Sequence, residues 1–320
     1  MKARWLLPLL AASLPAFAAD YPTKPIRLLV GFAAGGPTDV IARIIAQDIT
    51  AAWGQSVVVD NRTGANSLIA TETVAQSAPD GYTLLFASLS HNVNAILLPN
   101  VKYSPLKSFA PICLAAVLPL VVVTKPDATF NSVKELVALA KSKPAEVTYG
   151  SAGNGGSAHL AAALLEVSSG AKMTHVPFRG NAPALTEVMA GRVNFMFYPM
   201  IGIADLVQAK RLKVVGAATV KRQPDFPNVP TMAEQGFNGF EDTAPWVGML
   251  APEKTPAAIV NKLNAATRAS LVKPDSKKRL DALGAIVVGD SPAEFTAFLQ
   301  KDWDRWARVI KAAGVKAEQQ

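Results

Sequence analysis

The chain has 320 residues, a formal net charge of +8 and a single cysteine. Its length suggests two domains with sizeable cores, one thiol excludes an internal disulfide, and scattered basic residues with no basic-aromatic stripe argue against nucleic acid as a partner. A mean hydropathy of +0.22 makes a membrane segment the first possibility to test.

That test falls on the N-terminus. Lys2 and Arg4 precede "WLLPLLAASL", which is shorter than the ~20 apolar residues a spanning helix needs. Ala16-Phe17-Ala18 then reads as a small-residue cleavage site. The expectation is a secretory signal peptide over residues 1–18 and a periplasmic mature protein. No cysteine stands at the cleavage site, which argues against a lipid anchor. Losing Lys2 and Arg4 takes the formal charge from +8 to +6, an excess that suits an anionic partner.

Beyond this segment, β-branched runs alternate with helical patterns. Strands are predicted at 26–30, 56–60, 83–87, 112–124, 147–149, 173–176, 193–197, 212–218, 246–250 and 285–288. "TDVIARIIAQDI" sets Val40, Ile41, Ile44, Ile45 and Ile49 on one helical face. "NSVKELVALAKSKP" opens on a capping box of Ser132 and Glu135, and "SPAEFTAFLQKDWDRWARVI" repeats it with Ser291 and Glu294. In the latter, Phe295, Phe298, Leu299, Trp303, Trp306 and Ile310 form an apolar stripe, read as core rather than as a ligand platform. Cys113 is read as a small buried apolar residue. The alternation implies βαβ units and an α/β architecture. Two apolar runs, "PICLAAVLPLVVVTKP" and "TAPWVGMLAP", are not promptly followed by a helix and are read as strands crossing between lobes. They divide the chain into a discontinuous lobe 1, residues 19–122 plus 246–320, and a lobe 2, residues 123–245.

Two strand-to-helix junctions are almost bare of side chains: "GFAAGGPTD" from Gly31 and "GSAGNGGSAH" from Gly150. Ligands of open α/β sheets gather at such places. The first N–H groups of a helix lack intrahelical partners and the dipole adds positive character, while glycine lets a ligand approach the backbone. "GNGGSA" fits a dinucleotide pattern, but the acid expected about 20 residues on is missing, and neither junction has the lysine of a P-loop. A small anion remains, most simply a carboxylate; the alternative is that the loops are only tight turns.

The segments "YPTKPIRLLVGFAAGGPTDVIARIIA", "VDNRTGA", "APDGYTLLFAS", "YGSAGNGGSAHLAAALLE", "HVPFRGNAPALTEVMAGRVNFMF" and "PNVPTMAEQG" resemble, in order, the periplasmic solute-binding receptors of tripartite tricarboxylate transporters, the Bug receptors. The resemblance implies a type II periplasmic-binding-protein fold: two α/β lobes, two crossing strands and a cleft between them. It implies capture of a small carboxylate for a membrane transporter, with the ligand held by backbone amides, hydroxyls and water. By position it points to Phe32, Ala34, Gly35, Gly36 and Thr38 on the first junction, and to Ser88 and His91 after the third strand. In lobe 2 it points to Ser151, Asn154 and Gly155, with Arg179 and Tyr198 nearby. Asp39 is expected to cap the first turn rather than touch ligand. No cofactor and no metal are implied, and a monomer is expected.

Two departures bear on the ligand. Leu68 stands in "GANSLIA" where relatives commonly carry asparagine, and Asn66 or Ser67 is the replacement candidate. Tyr198 stands where amino-acid-binding relatives carry an acid for the ligand ammonium. The expected ligand is therefore a di- or tricarboxylate or aromatic acid without an amino group, its body against Phe32 and Tyr198.

Of the three histidines, His159 falls in a helix pattern and His175 in a strand, so both are read as structural. His91, beside Ser88 at a strand end, is the ligand-facing candidate. Arg62 is either a carboxylate partner or a surface residue. A hydrolase or transferase on the same scaffold is the competing reading, but no G-x-S-x-G elbow or metal spacing is present. The effector-binding half of a transcription regulator is opposed by the leader and by the missing helix-turn-helix.

Overall fold

Strand β1 (Ile26–Val30) is buried along most of its length, as a central parallel strand must be. The computed structural model that contains it describes residues 21–178, 180–200 and 202–316. The expected signal peptide and Arg179 lie outside the described residues. From β1 the chain runs through α1 (Pro37–Trp53), β2 (Val57–Asn61), α2 (Leu68–Ala75), β3 (Thr83–Ser88), α3 (Ser90–Leu97) and β4 (Phe109–Val117). It continues through β5 (Leu120–Thr124), α4 (Val133–Ser142), β6 (Thr148–Ser151), α5 (Ser157–Ser169), β7 (Thr174–Pro177), α6 (Asn181–Met189), β8 (Phe195–Pro199), α7 (Ala204–Gln208) and β9 (Lys213–Ala218). It returns through β10 (Trp246–Pro252), α8 (Ala257–Val272), α9 (Pro274–Ala282), β11 (Ile286–Val287) and α10 (Pro292–Ala313).

These strands make two mixed sheets, ordered β11-β4-β10-β3-β1-β2 and β7-β6-β8-β5-β9. The parallel βαβ units sit at β1–β3 and at β6–β8; β10 and β5 run antiparallel to their neighbours. Each sheet has its own buried apolar clusters, which makes two lobes.

The run expected as one strand over 112–124 is two. β4 belongs to the first sheet and β5 to the second, and the break falls at Leu118–Pro119. Pro119 has no N–H to continue a ladder. Its carbonyl instead accepts the Met200 N–H at 3.0 Å, while the Leu118 N–H donates to Pro245 at 2.8 Å. The two connections between sheets are thus fastened side by side, and the expected boundary at 122/123 falls inside β5. The second predicted crossing strand also lies wholly in the first sheet as β10, the crossing being made before it.

Helix α10 carries the predicted capping box, Ser291 with Glu294. In α4 Ser132 accepts from the Glu135 N–H, but the Glu135 carboxylate reaches Asn131 instead of the cap. The α10 stripe is core at Phe295, Leu299, Trp306 and Ile310, whereas Trp303 is only partly buried. Beside it, Asp302 is 1 % exposed and accepts hydrogen bonds from Asn92 (2.8 Å), Trp246 (3.1 Å), Trp306 (3.1 Å) and Arg305 (2.6 Å). Four donors on one carboxylate compensate its removal from water. Leu160 of α5 joins this cluster, so the second lobe leans on the helix that closes the first. Cys113 is buried, and burial first of all pushes its thiol up to about 12.

Candidate functional site

The first junction is held from both ends. A methyl group on Gly31 would fall 1.9 Å from Ser67 Oγ, so glycine alone admits the loop that follows β2. Further on, the Gly35 N–H donates to Asp39 Oδ2 at 2.8 Å. Asp39 also accepts from Arg43 (2.9 Å) and from Asn61 (2.8 Å), and Asn61 reaches the Phe32 carbonyl as well (3.0 Å). Burial works to raise the Asp39 pKa, but hydrogen bonds from Arg43, Gly35 and Asn61 outweigh it and hold the carboxyl below its ordinary range. Asp39 is therefore the expected capping acid. Gly35 does not present its N–H outward, because the cap has taken it. Ala34 is exposed, Phe32 and Gly36 are part-buried, and Thr38 is buried. The Thr38 and Asp39 N–H groups, in the first turn, have no intrahelical partner.

Between β2 and α2 the backbone turns left-handed at three successive non-glycine residues, Ala65 (φ 45°), Asn66 (φ 52°) and Ser67 (φ 73°). Ala65 and Ser67 are each disfavoured there by about 1–2 kcal/mol and Asn66 by less, so the turn needs outside support. Asn94 of α3 supplies it, donating to the Asn66 carbonyl at 2.9 Å. The Asn66 side chain donates to Asn94 Oδ1 (3.3 Å) and to the Asn154 carbonyl of the second junction (3.4 Å). Leu68 is packed into the apolar cluster of the first lobe. Asn66 is the polar group that faces the other lobe at this loop.

After β3, the hydroxyls of Ser88 and Ser90 lie 3.1 Å apart. His91 turns inward. It is 1 % exposed, tilted against Tyr103 and edge-on to Phe109 and Trp246, and its Nε2 meets the Pro105 carbonyl at 3.0 Å. Burial pushes its pKa down to about 4. The ring fills an aromatic pocket behind α3, so it is a core residue and not the ligand-facing group expected from its strand-end position.

The second junction repeats the first in backbone. Gly155 is left-handed (φ 70°) like Gly35 (φ 80°), and Gly156 caps α5 as Gly36 caps α1. Here the Gly155 N–H donates to His159 Nδ1 at 3.0 Å. Ser151 is fully buried: its Oγ accepts from the Gly153 N–H (3.1 Å), donates to the Gly153 carbonyl (3.0 Å) and lies 2.6 Å from His175 Nε2. Ser151 and Gly155 thus shape the loop rather than offer free groups. A methyl on Gly155 would come within 2.8 Å of Leu97 and 3.1 Å of Val93 on α3, which is how closely the lobes meet. Asn154 is part-buried beside it. Tyr198, half-buried on β8 opposite Val121, packs against an apolar cluster of lobe 2 that includes Val121 and Ala184, and burial raises its phenol pKa.

Gly31 against Ser67, Asn66 against Asn154 and Gly155 against α3 therefore join the two junctions through the left-handed turn. Sequence reasoning missed Asn94 and Asn61, the two amides that set these loops. Their only signal was position: Asn61 ends a strand and Asn94 lies one turn past His91 on the same helix. Among the described residues no group of three His, Cys, Asp or Glu side chains gathers as a metal site.

Two α/β lobes meeting at paired helix starts define a two-lobed solute-binding protein. A family model described as "Tripartite tricarboxylate transporter family receptor" matches residues 41–315, and the chain belongs to that family. It is similar to the protein BugT of Bordetella pertussis, 34% identical over 94% of this chain and 93% of that one. Among solved structures it is similar to R. palustris Rpa4515 with adipate: 33% identity, TM-score 0.87, covering 93% of this chain and 99% of the other. It is also similar to MatC of Rhodopseudomonas palustris with bound malate: 32% identity, TM-score 0.84, covering 91% and 100%.

Proposed function

We propose that the protein captures a small carboxylate without an amino group, a di- or tricarboxylate or an aromatic acid, and delivers it unchanged to the membrane components of a tripartite tricarboxylate transporter. The observation that carries this reading is the Asn66–Asn154 contact, which brings one helix start from each sheet to a shared surface. The bound adipate and malate of the two relatives support the carboxylate class. Tyr198, with Pro199 after it, offers no charge to an ammonium. Residues 21–118 with 245–316 form one lobe and the chain between them the other, and the lobes close on the ligand by bending at Leu118–Pro119 and Ala244–Pro245. The residues proposed to meet the ligand are Phe32, Ala34, Gly36, Thr38, Asn66, Ser88, Asn154 and Tyr198, with Arg179 carried over from the family resemblance alone. The leader is removed after Ala18, and the mature monomer works in the periplasm.

Calorimetry with malate, adipate, benzoate, aspartate and succinate tests this. Binding of a plain acid, recovered unchanged by NMR, is the expected outcome. Tight binding of aspartate with none of succinate overturns it.

A further inference from the structure

In both junctions the N–H of a left-handed glycine donates to a side chain four residues on, at the third position of the following helix: Gly35 to Asp39, Gly155 to His159. The next glycine in each returns its N–H to a carbonyl three residues back, Gly36 to Ala33 (3.4 Å) and Gly156 to Gly153 (3.2 Å). The geometry is shared, but the acceptors differ in charge. A carboxylate at that position puts a full negative charge into the turn where the dipole draws anions. An imidazole that accepts at Nδ1 is neutral, because the cation carries a proton on both nitrogens.

The Gly155 N–H aimed at Nδ1 leaves no room there for a second proton. His159 is buried and lies face to face with His175, ring centroids 3.9 Å apart and planes within 9°. Tyr149 stacks on His175 at 5.1 Å. Burial, and then the neighbouring His159, push the His175 pKa down to about 3. The Ser151 hydroxyl ties the stacked pair to the loop, with Oγ 3.0 Å from the Gly153 carbonyl and 2.6 Å from His175 Nε2.

We propose that His159 is a positioning residue: its neutral imidazole imposes on the second junction the shape that Asp39 imposes on the first, while keeping negative charge away from the helix start where the ligand carboxylate binds. The charge half rests on the carboxylate reading above. Asparagine carries its acceptor where Nδ1 lies and glutamine where Nε2 lies, so His159→Asn, His159→Gln and His159→Asp separate shape from charge.

Two measurements on the full mature chain, with thermal melts to confirm folding, decide it. In hydrogen exchange without ligand, the Gly155 amide stays protected in His159→Asn and His159→Asp and loses about tenfold or more protection in His159→Gln. In calorimetry with malate, adipate and benzoate, the acid that wild type binds keeps its affinity within about threefold in His159→Asn and weakens about tenfold in His159→Asp. Equal Gly155 protection in all four proteins, or wild-type affinity in His159→Asp, overturns the proposal. If wild type binds none of the three acids, the carboxylate reading and the charge half fall together, and exchange still decides the positioning half.

Discussion

Gly35 and Gly155 hold the same backbone conformation in similar loops, yet a substitution at each meets different neighbours. Around Gly35 nothing lies within 4 Å of an added methyl, whereas Gly155 faces Leu97 and Val93 of the other lobe. The first junction is a self-contained cap, clamped by a charged Asp39–Arg43–Asn61 set within its own lobe. The second is clamped by neutral rings and is also part of the contact between lobes. A glycine-rich loop is therefore not a row of free donors. Each junction uses at least two glycine N–H groups to hold itself, and what remains for a ligand is the rest of the first turn.

Substitution at the two glycines breaks this parallel most sharply. Gly155→Ala should cost about 2–4 kcal/mol in chemical denaturation, combining left-handed strain with overpacking against α3, and should weaken ligand binding strongly. Gly35→Ala carries the strain alone and should cost about 1–2 kcal/mol. Equal effects would mean that the lobes do not meet at Gly155.

Acid should separate the junctions next. His175 has a folded pKa of about 3 against 6.5 ordinarily, so the unfolded chain binds more protons between those values. Stability therefore falls as pH drops below about 6.5. Asp39 is depressed from 3.8, so its contribution is present above that value and is lost only as pH falls through its lower folded pKa. Melts against pH should lose slope between pH 6.5 and 4 in His175→Phe, and only below about pH 4 in Asp39→Asn.

The smallest effect belongs to the bridge. Asn66→Gly relieves one left-handed side chain while deleting the bonds to Asn94 and Asn154. Stability should stay within about 1 kcal/mol of wild type and binding should weaken about fivefold. A larger loss of stability would make Asn66 a structural post rather than a contact between lobes.

Much of this architecture was legible beforehand. The strand at 26–30 and the α10 capping box follow from local periodicity and capping chemistry. The 112–124 run reads as one strand because apolar continuity says nothing about where a ladder ends; the signal that ends it is Pro119, which has no N–H. At the site, the two stretches bare of side chains between strand and helix located both junctions, and the family resemblance pointed to the Asp39 cap. His91 failed because a helix start has an inner and an outer side, and the Phe109 and Trp246 rings that claimed it come from β4 and β10.

What the sequence determined by itself is what short stretches of chain decide: the alternation of strand and helix, the caps, and the two helix starts stripped of side chains. Tertiary structure decided which of those N–H groups stay available and which residues face one another, such as Asn66 and Asn154, 88 positions apart. The reason is that a hydrogen bond is allotted by proximity in space. Local propensity can build a donor, but only the packed fold brings the acceptor that takes it.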